Sequence, residues 1–439
     1  MHPASSFLSP MNPAPAIRFR ATDHARRALN GAMALDPAVL TRMFTQFDAS
    51  RIMAEAERID HDGGGSKGPL AGLTISIKDL FDEKGVATTA GSAILLGGPA
   101  ATQDAEAVRR LRAAGAICCG RTTMSEFAYS GVGLNPHYGN PGNALDPARI
   151  SGGSSSGAGL SVALGVTDAA LGSDTGGSVR IPAALNGLCG FKPTQGAVPL
   201  DGSFPLSATF DSIGPLAPTM AACAAIHAVI SASQPAAADA APARPRIGVV
   251  GGLFMEGLDR QVADDYAAAL DKLAAGDFEL VETGFPFLDD FGSVNRIVVA
   301  SEAYAFHRER LEALHSVGDQ HVLRRILSAE KFGESDVAEA HARRAGAIAA
   351  FSTAASGFDG FIAPTLPTVA PLIADVEADF DRLNALMLRN PSAINFLDGC
   401  AATIPMQGSQ TLATGMMVFG PAGRDWPIIA LAKRLEAVL

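Results

Sequence analysis

The sequence predicts an α/β fold in which helices connect parallel strands. Residues 73–78 (LTISIK) alternate apolar and polar side chains, which is the period of a β-strand. Residues 104–114 (DAEAVRRLRAA) have the spacing of an amphipathic helix that Gly115 can end, and residues 116–119 (AICC) form a short apolar strand. A strand, a helix and a second strand in this order favour parallel pairing of the two strands.

The residues before the first strand predict a helical preface. Residues 34–60 have helical spacing with charged outer positions, and the glycine-rich residues 61–69 predict a flexible join. We therefore divide the chain into an N-terminal helical preface, residues 1–66, and a single larger domain, residues 67–439. The N-terminus holds two prolines in NPAPA and no continuous apolar run, so it does not resemble a secretory signal.

Two loops rich in glycine and serine flank a predicted helix and a predicted strand. The first loop, residues 150–157 (ISGGSSSG), leads into a run of small residues that Gly165 can stop. Residues 167–174 (TDAALGSD) predict a buried strand, and the second loop, which begins TGGSVR at residue 175, follows it. Loops at the carboxyl ends of strands line the ligand crevice of an open α/β sheet, so the second loop is the better candidate for a site.

The alternation of strands and helices resumes after a low-complexity linker at residues 233–245. Residues 246–250 (RIGVV) predict a strand, and residues 357–367 and 414–420 predict further strands. Residues 301–355 are mostly helical in pattern and carry six arginines and four histidines, which favours a helical cover over the sheet.

Composition and charge exclude several classes of partner. The 439 residues include 34 basic and 45 acidic side chains, and the formal net charge of -11 argues against a surface that binds nucleic acid. No run of about 18 apolar residues is present, so we expect no membrane span. Five cysteines without a CxxC pair are typical of a reducing compartment, and we expect a cytoplasmic protein.

The two loops lack the patterns of common nucleotide and metal sites. GGSSSG does not end in the Gly-Lys-Ser/Thr of a phosphate-binding loop, and neither loop has GxGxxG with an acidic residue about twenty positions later. No HxxxH or HExxH spacing occurs. We therefore expect neither a metal nor a cofactor.

A serine hydrolase with a histidine base also finds little support. Ser178 lies in TGGSVRIP, which lacks the second glycine of a GxSxG turn. The sequence contains nine histidines, so their number does not exclude a Ser-His-Asp triad. No pattern marks one of them as the base. His307 and His341 lie on a charged helical stretch and are expected to be solvated or to cap helices. His137 fits a loop scaffold or a pocket wall equally well.

Seven motifs along the chain belong together. They are ISIKDLFDEKGVATTAGS, GRTTMSEFAYS, ISGGSSSGAG, GSDTGGSVRIPAALNGLCGFKPT, DSIGPLAP, SEAYAFHRERL and DGFIAPTLPT. In combination they resemble the amidase signature family, closely over residues 69–220 and more loosely beyond. The resemblance implies a large mixed, mainly parallel central sheet covered by helices on both faces, in a single amidase domain. It also implies hydrolysis of an amide by a Ser-cisSer-Lys triad, with no cofactor.

The resemblance assigns the three members of the triad. Ser178 matches the nucleophile, Ser154 the bridging serine and Lys78 the base, and the peptide bond between Gly153 and Ser154 is implied to be cis. Lys78 must be largely neutral to accept a proton, although a free lysine has a pKa of about 10.4. Burial would lower that pKa. The alternative is a surface ion pair between Lys78 and Asp79 or Asp82.

The residues around the nucleophile have implied roles as well. The TGGS turn offers backbone N–H groups of Thr175, Gly176 and Gly177, together with that of the nucleophile, as an oxyanion hole. Ser155 and Ser156 are expected to have supporting roles, with substrate binding as the other option for Ser155. Phe127 and Tyr129 are expected to contact the substrate, although a core position fits Phe127 equally well.

Arg180 follows the same turn and leaves two interpretations open. It faces the substrate or pairs with Asp174, and we favour the ion pair.

The sequence therefore predicts an amidase that hydrolyses a small carboxamide through a serine acyl-enzyme. One alternative is the glutaminase-type subunit of a tRNA-dependent amidotransferase, and another is a catalytically silent binding protein on the same scaffold. The expected partner is a small-molecule amide, with a homodimer as one option for assembly. The acyl chain, the leaving group and any partner subunit stay open.

Overall fold

The computed structural model describes residues 20–61, 68–236, 239, 241–406 and 412–439. Part of the predicted preface, join and linker therefore lies outside the described residues, namely residues 1–19, 62–67, 237, 238 and 240. The strands are β1 (Phe44–Gln46), β2 (Thr74–Lys78), β3 (Ile117–Thr122), β4 (Ala169–Ser173), β5 (Cys189–Lys192), β6 (Ile213–Ala217), β7 (Arg246–Val250), β8 (Glu279–Thr283), β9 (Gly360–Pro364), β10 (Cys400–Met406) and β11 (Thr414–Gly420).

Helices cover the sheet and separate most of its strands along the chain. They are α1 (Ala21–Met33), α2 (Pro37–Met43), α3 (Ala49–His61), α4 (Glu106–Ala113), α5 (Ser156–Ala163), α6 (Arg180–Leu185), α7 (Met220–Ile230), α8 (Arg260–Ala274), α9 (Phe291–His307), α10 (Leu311–Val317), α11 (Gln320–Leu327), α12 (Glu334–Ala354), α13 (Ile373–Ala378), α14 (Phe380–Phe396) and α15 (Asp425–Glu436). No described helix is both long and apolar enough to cross a bilayer.

The described strands join in one mixed sheet in the order β1-β3-β2-β4-β6-β5-β10-β11-β9-β7-β8. The predicted α/β class and the large mixed sheet are confirmed. The expectation of mainly parallel pairing is wrong, because four neighbouring pairs are parallel and six are antiparallel. Most antiparallel pairs involve β1, β5, β6 or β10, which are strands that the sequence pattern did not reveal.

The predicted helical preface contains a strand. Between α2 and α3, β1 pairs antiparallel with β3, so the helical spacing at residues 34–60 is interrupted at residues 44–46. Helices α1 and α3 pack on each other and on β3. The preface thus contributes to the central sheet, and the boundary between residues 66 and 67 stays a prediction.

The sheet topology brings the two glycine- and serine-rich loops to one edge. β2 pairs in parallel with β4, so the carboxyl ends of both strands, at Lys78 and Ser173, lie side by side. The first loop leads into α5, and the second leads from β4 into α6. The predicted helices of residues 301–355 are confirmed as the end of α9 together with α10, α11 and α12.

A buried ion-pair cluster holds the chain directly after β2. Arg121 is 2% exposed, and its Nε donates to Asp79 Oδ1 at 2.7 Å. Its Nη1 donates to the Phe81 carbonyl at 2.9 Å and to Glu83 Oε1 at 3.1 Å. The cluster engages the carboxylate that directly follows Lys78 in the sequence.

Replacing Arg121 should destabilise the fold strongly. Arg121→Met leaves the buried Asp79 carboxylate without its cation, and removal of one partner of a buried pair costs about 3–5 kcal/mol. Urea denaturation followed by circular dichroism measures the free energy of unfolding. The matched control is Arg109→Met, which breaks an exposed pair with Glu106 and should cost about 1 kcal/mol or less. Equal losses in the two variants would contradict this account.

Candidate active site

The first loop approaches neighbouring backbone so closely that it requires glycine. The Gly153–Ser154 peptide is cis, as the resemblance implied, and Gly152 has a φ of +80°. A Cβ atom placed on Gly153 would lie 2.6 Å from the Cα atom of Gly133. A larger residue therefore does not fit before Ser154, which is fully buried.

Lys78 is completely buried and contacts two serines. Its Nζ donates to Ser154 Oγ at 2.6 Å and to Ser173 Oγ at 2.8 Å. Burial lowers the pKa of Lys78 to about 7, although the carboxylates of Asp174 and Asp211 oppose the change. An amine with this pKa is substantially neutral near physiological pH.

The alternative of a surface ion pair for Lys78 is wrong. Asp79 accepts from the Arg121 guanidinium and from the Thr89 hydroxyl, and Asp82 accepts from Thr88 Oγ1 at 2.6 Å. The carboxylates next to Lys78 in the sequence are therefore engaged by other groups.

Ser178 lies at the end of the second loop and lines a cavity of about 890 Å³. Its backbone carbonyl accepts from the Ser155 N–H at 3.4 Å, which joins the two loops. Its hydroxyl has no hydrogen-bond partner in the part of the chain that the structure describes. Lys78 and Ser154 are not among the cavity's lining residues. The hydroxyl predicted to be the nucleophile thus faces open space, and the amine lies in the protein interior.

Ser155 is buried, and its supporting role stays a prediction. Its Oγ donates to the Ser173 carbonyl at 3.5 Å, in addition to the backbone contact with Ser178. It therefore links the end of β4 to the loop that carries Ser178.

Asp174 shapes the turn that carries Ser178. Its carboxylate accepts from the Gly177 N–H at 2.7 Å and from the Val179 N–H at 3.2 Å. Arg180 donates to both of its oxygens, at 3.0 and 2.9 Å, and Asn395 Nδ2 donates at 3.0 Å. Burial raises the pKa of Asp174, but Arg180 outweighs it and holds that pKa below its usual range. The favoured ion pair of Arg180 with Asp174 is confirmed.

The turn leaves fewer free donors than the sequence predicted. Gly177 does not fit the expected oxyanion set, because its N–H already donates to Asp174. The backbone N–H groups of Thr175, Gly176 and Ser178 form no hydrogen bond with the described residues. The Thr175 side chain donates to Asp211 Oδ1 at 2.6 Å, which fixes the start of the turn.

The two aromatic residues predicted to contact substrate have different positions. Tyr129 lines the cavity, whereas Phe127 does not. Phe127 is buried and stacks on Phe204 with ring centroids 5.4 Å apart. Its position is therefore in the core, the second of the two roles left open.

His307 is fully buried, so the expectation that it is solvated or a cap is wrong. Its ring lies 4.3 Å from that of Phe127, and burial lowers its pKa to about 4. His341 is exposed, as predicted. His137 is mostly buried, and its Nε2 lies 3.0 Å from Glu126 Oε1, which agrees with a loop scaffold.

Sequence reasoning missed several residues that build this site. Ser173 lies within the predicted strand of residues 167–174 and could have been noticed as a polar residue beside the second loop. Asp211 begins the motif DSIGPLAP, and burial raises its pKa to about 6. Asn395 gives no local signal, because it reaches Asp174 from α14, more than 200 residues away. Within the described residues, no group of three or more His, Cys, Asp or Glu side chains could hold a metal.

The chain resembles known proteins over nearly its whole length. A family profile described as Amidase matches residues 28–428. The 2-amino-5-chloromuconic acid deaminase of Comamonas testosteroni is 32% identical over 411 residues, which cover 90% of this chain and 88% of that protein. A subunit of the glutamyl-tRNA(Gln) amidotransferase of Synechococcus sp. (strain RCC307) is 32% identical over 458 residues, covering 95% of this chain and 93% of that protein.

Solved structures agree with the sequence matches. A crystal structure of an amidase superposes with a TM-score of 0.86 at 31% identity, covering 96% of this chain and 97% of the other. The profile match and the similarity of sequence and fold over most of the chain establish the relationship, and this protein belongs to the amidase family.

Proposed function

We propose that the protein hydrolyses the C–N bond of a small carboxamide through an acyl-enzyme on Ser178, releasing an acid and ammonia or an amine. The observation that carries this proposal is the hydrogen bond of 2.6 Å between the buried Lys78 Nζ and Ser154 Oγ. A buried amine of lowered pKa can activate a serine without a histidine. Membership of the amidase family supports the same class of reaction.

In the proposed mechanism, Ser178 Oγ attacks the carbonyl carbon of the amide. Ser154 Oγ accepts the Ser178 proton and donates its own proton to neutral Lys78. The proton then returns through Ser154 to the leaving nitrogen, and water hydrolyses the acyl-enzyme to the free acid. The Ser178 hydroxyl must rotate toward Ser154 for the first transfer, as catalytic hydrogen bonds often tighten only when substrate is bound.

The negative charge that develops on the substrate oxygen needs donors. The unused N–H groups of Thr175, Gly176 and Ser178 are the candidates, and one such donor contributes roughly 3 kcal/mol of barrier lowering. The Gly177 N–H donates to Asp174 and is therefore not available to the substrate oxygen, but this hydrogen bond holds the turn in a fixed shape.

Hydrolysis of glutamine within a larger amidotransferase is the second candidate. The similarity to an amidotransferase component over 95% of the chain favours it. Partner subunits that copurify with a tagged chain, together with ammonia release from glutamine alone, would support this candidate. A silent binding protein is disfavoured because Lys78, Ser154 and Ser178 are all present.

Location and assembly stay proposals. The free cysteines at positions 118, 119, 189, 223 and 400 are all buried and unpaired, which supports a reducing compartment such as the cytoplasm. The homodimer is tested by the mass of the purified protein in solution.

Ser178→Ala should abolish ammonia release. The wild-type protein and the variant are compared on a panel of primary amides, ureido acids and glutamine, and on labelling by an alkyl fluorophosphonate. Unchanged thermal denaturation of the variant would show that its fold is intact. Labelling or turnover that persists in the variant would assign the nucleophile to another residue.

The pKa of Lys78 predicts an acidic limb in the pH profile. Only the neutral amine accepts a proton, so kcat/KM should fall about tenfold per pH unit below pH 7 and level off above it. Lys78→Ala should lose about 100- to 10,000-fold at pH 7 and less at pH 10, where hydroxide partly replaces the base. An equal loss at every pH would rule out the base role.

Ser154→Ala should lower kcat by about 100-fold or more, because the proton relay between Ser178 and Lys78 is interrupted. The control is Ser151→Ala in the same loop, whose hydroxyl donates to the Ser156 carbonyl and does not contact Lys78. Steady-state kinetics with both variants measure the difference. A wild-type kcat in Ser154→Ala would remove this serine from the mechanism.

A further inference from the structure

Three helices line the cavity in front of Ser178, and each contributes one arginine. Arg296 lies on α9, Arg325 on α11 and Arg389 on α14. On α9 the lining positions include 292, 295, 296 and 299, and on α14 they include 385, 388, 389 and 392. This spacing of three and four places the arginines of α9 and α14 on helix faces directed toward the cavity.

None of the three arginines forms an ion pair with a carboxylate in the part of the chain that the structure describes. The Arg325 guanidinium lies 4.5 Å from the centroid of the Tyr129 ring. Arg389 Nε donates to the Asn390 side-chain oxygen at 3.0 Å, while its Nη2 is buried without a partner. Because no described carboxylate pairs with these three cavity-lining arginines, their guanidinium groups are available to an acidic ligand in the cavity.

The acidic residues that line the cavity form no ion pair with these arginines. Asp290 pairs with Arg343, which is not a lining residue. Asp381 is exposed and lies 3.9 Å from Arg324. Asp289 is exposed as well. Within the described residues, the three cavity arginines therefore have no ion-pair partner that an acidic ligand would need to displace.

Helix α14, which carries Arg389, packs against the turn that carries Ser178. A Cβ atom placed on Gly176 would lie 3.4 Å from Leu388 Cδ2 and 3.5 Å from Ser392 Cβ, and both residues share a helix face with Arg389. Asn384 also fixes α14, because its side-chain oxygen accepts from the Gly131 N–H at 2.8 Å. A cavity of about 890 Å³ has room for a substrate with a second functional group beyond the amide.

We infer that the substrate carries a carboxylate in addition to the scissile carboxamide, and that Arg325 and Arg389 bind this carboxylate while Arg296 attracts it at the exposed side of the cavity. The inference rests on the proposed function. The planar guanidinium donates two parallel hydrogen bonds to a carboxylate, which a neutral amide tail does not accept in the same way. The substrate class is therefore the monoamide of a dicarboxylic acid or a related acidic amide.

The test compares matched pairs of amides that differ only in the terminal carboxylate. The pairs are succinamic acid with butyramide, glutaramic acid with pentanamide, and adipamic acid with hexanamide, and glutamine tests the effect of an added ammonium group. The wild-type kcat/KM should favour the acidic member of at least one pair by about 10- to 100-fold. Equal or better hydrolysis of every neutral member would overturn the inference.

Variants assign the preference to named residues. Arg325→Gln and Arg389→Gln should each raise KM for the preferred acidic amide about tenfold or more, with little change for its neutral match. Arg389→Lys keeps the charge and should recover only part of the affinity. The control is Arg382→Gln, which removes an exposed arginine of α14 that pairs with Asp379 outside the cavity lining. Equal effects in the control would count against the carboxylate site.

Binding to Ser178→Ala separates the two proposals. Titration calorimetry measures the affinity of this variant for each amide without turnover. In one outcome, the variant binds acidic amides preferentially while the wild-type protein hydrolyses none of the amides. That result would support the carboxylate site and contradict the hydrolase. The opposite result is that the wild-type protein hydrolyses amides, but neither its kcat/KM nor the affinity of the variant favours the acidic members. That result would contradict the carboxylate site and support the hydrolase. Absence of binding, turnover and fluorophosphonate labelling would overturn both.

Discussion

The site depends on the burial of one amine, that of Lys78, which forms no ion pair with a carboxylate of the described residues. Lys78 lies between two serine hydroxyls, and desolvation brings its pKa to about 7. This outcome requires that neighbouring acids be neutralised elsewhere. Arg121 engages Asp79, and Arg180 engages Asp174, so neither carboxylate forms an ion pair with the lysine. The two arginines thereby keep the amine able to titrate.

Asp174 connects the turn that carries Ser178 to the rest of the protein. Its carboxylate holds the turn through the Gly177 N–H, and it receives Arg180 from α6 and Asn395 from α14. The same helix α14 provides Leu388, Arg389 and Ser392 to the cavity. One helix therefore supports the turn from behind and shapes the space in front of it. Because the Gly177 N–H donates to Asp174, it cannot also donate to a substrate oxygen.

The sequence was informative where local patterns coincide with local structure. The alternating residues 73–78 and the apolar residues 246–250 correspond to β2 and β7, and the two glycine- and serine-rich loops meet where parallel strands end. The strands β5, β6 and β10 were missed because they are short or buried on both faces and carry no alternation. These strands pair antiparallel, so the sheet is less parallel than predicted.

The motifs around Lys78, Ser154 and Ser178 are contiguous stretches, so the amino-acid order alone was enough to predict the family, the α/β class and the residues proposed as triad. The core position of Phe127, the burial of His307 and the three arginines around the cavity became evident only in the folded chain. Each of those outcomes depends on which distant segments become neighbours, such as α14 and the TGGS turn. Desolvation and hydrogen-bond competition act between such neighbours, and spacing along the chain does not encode them.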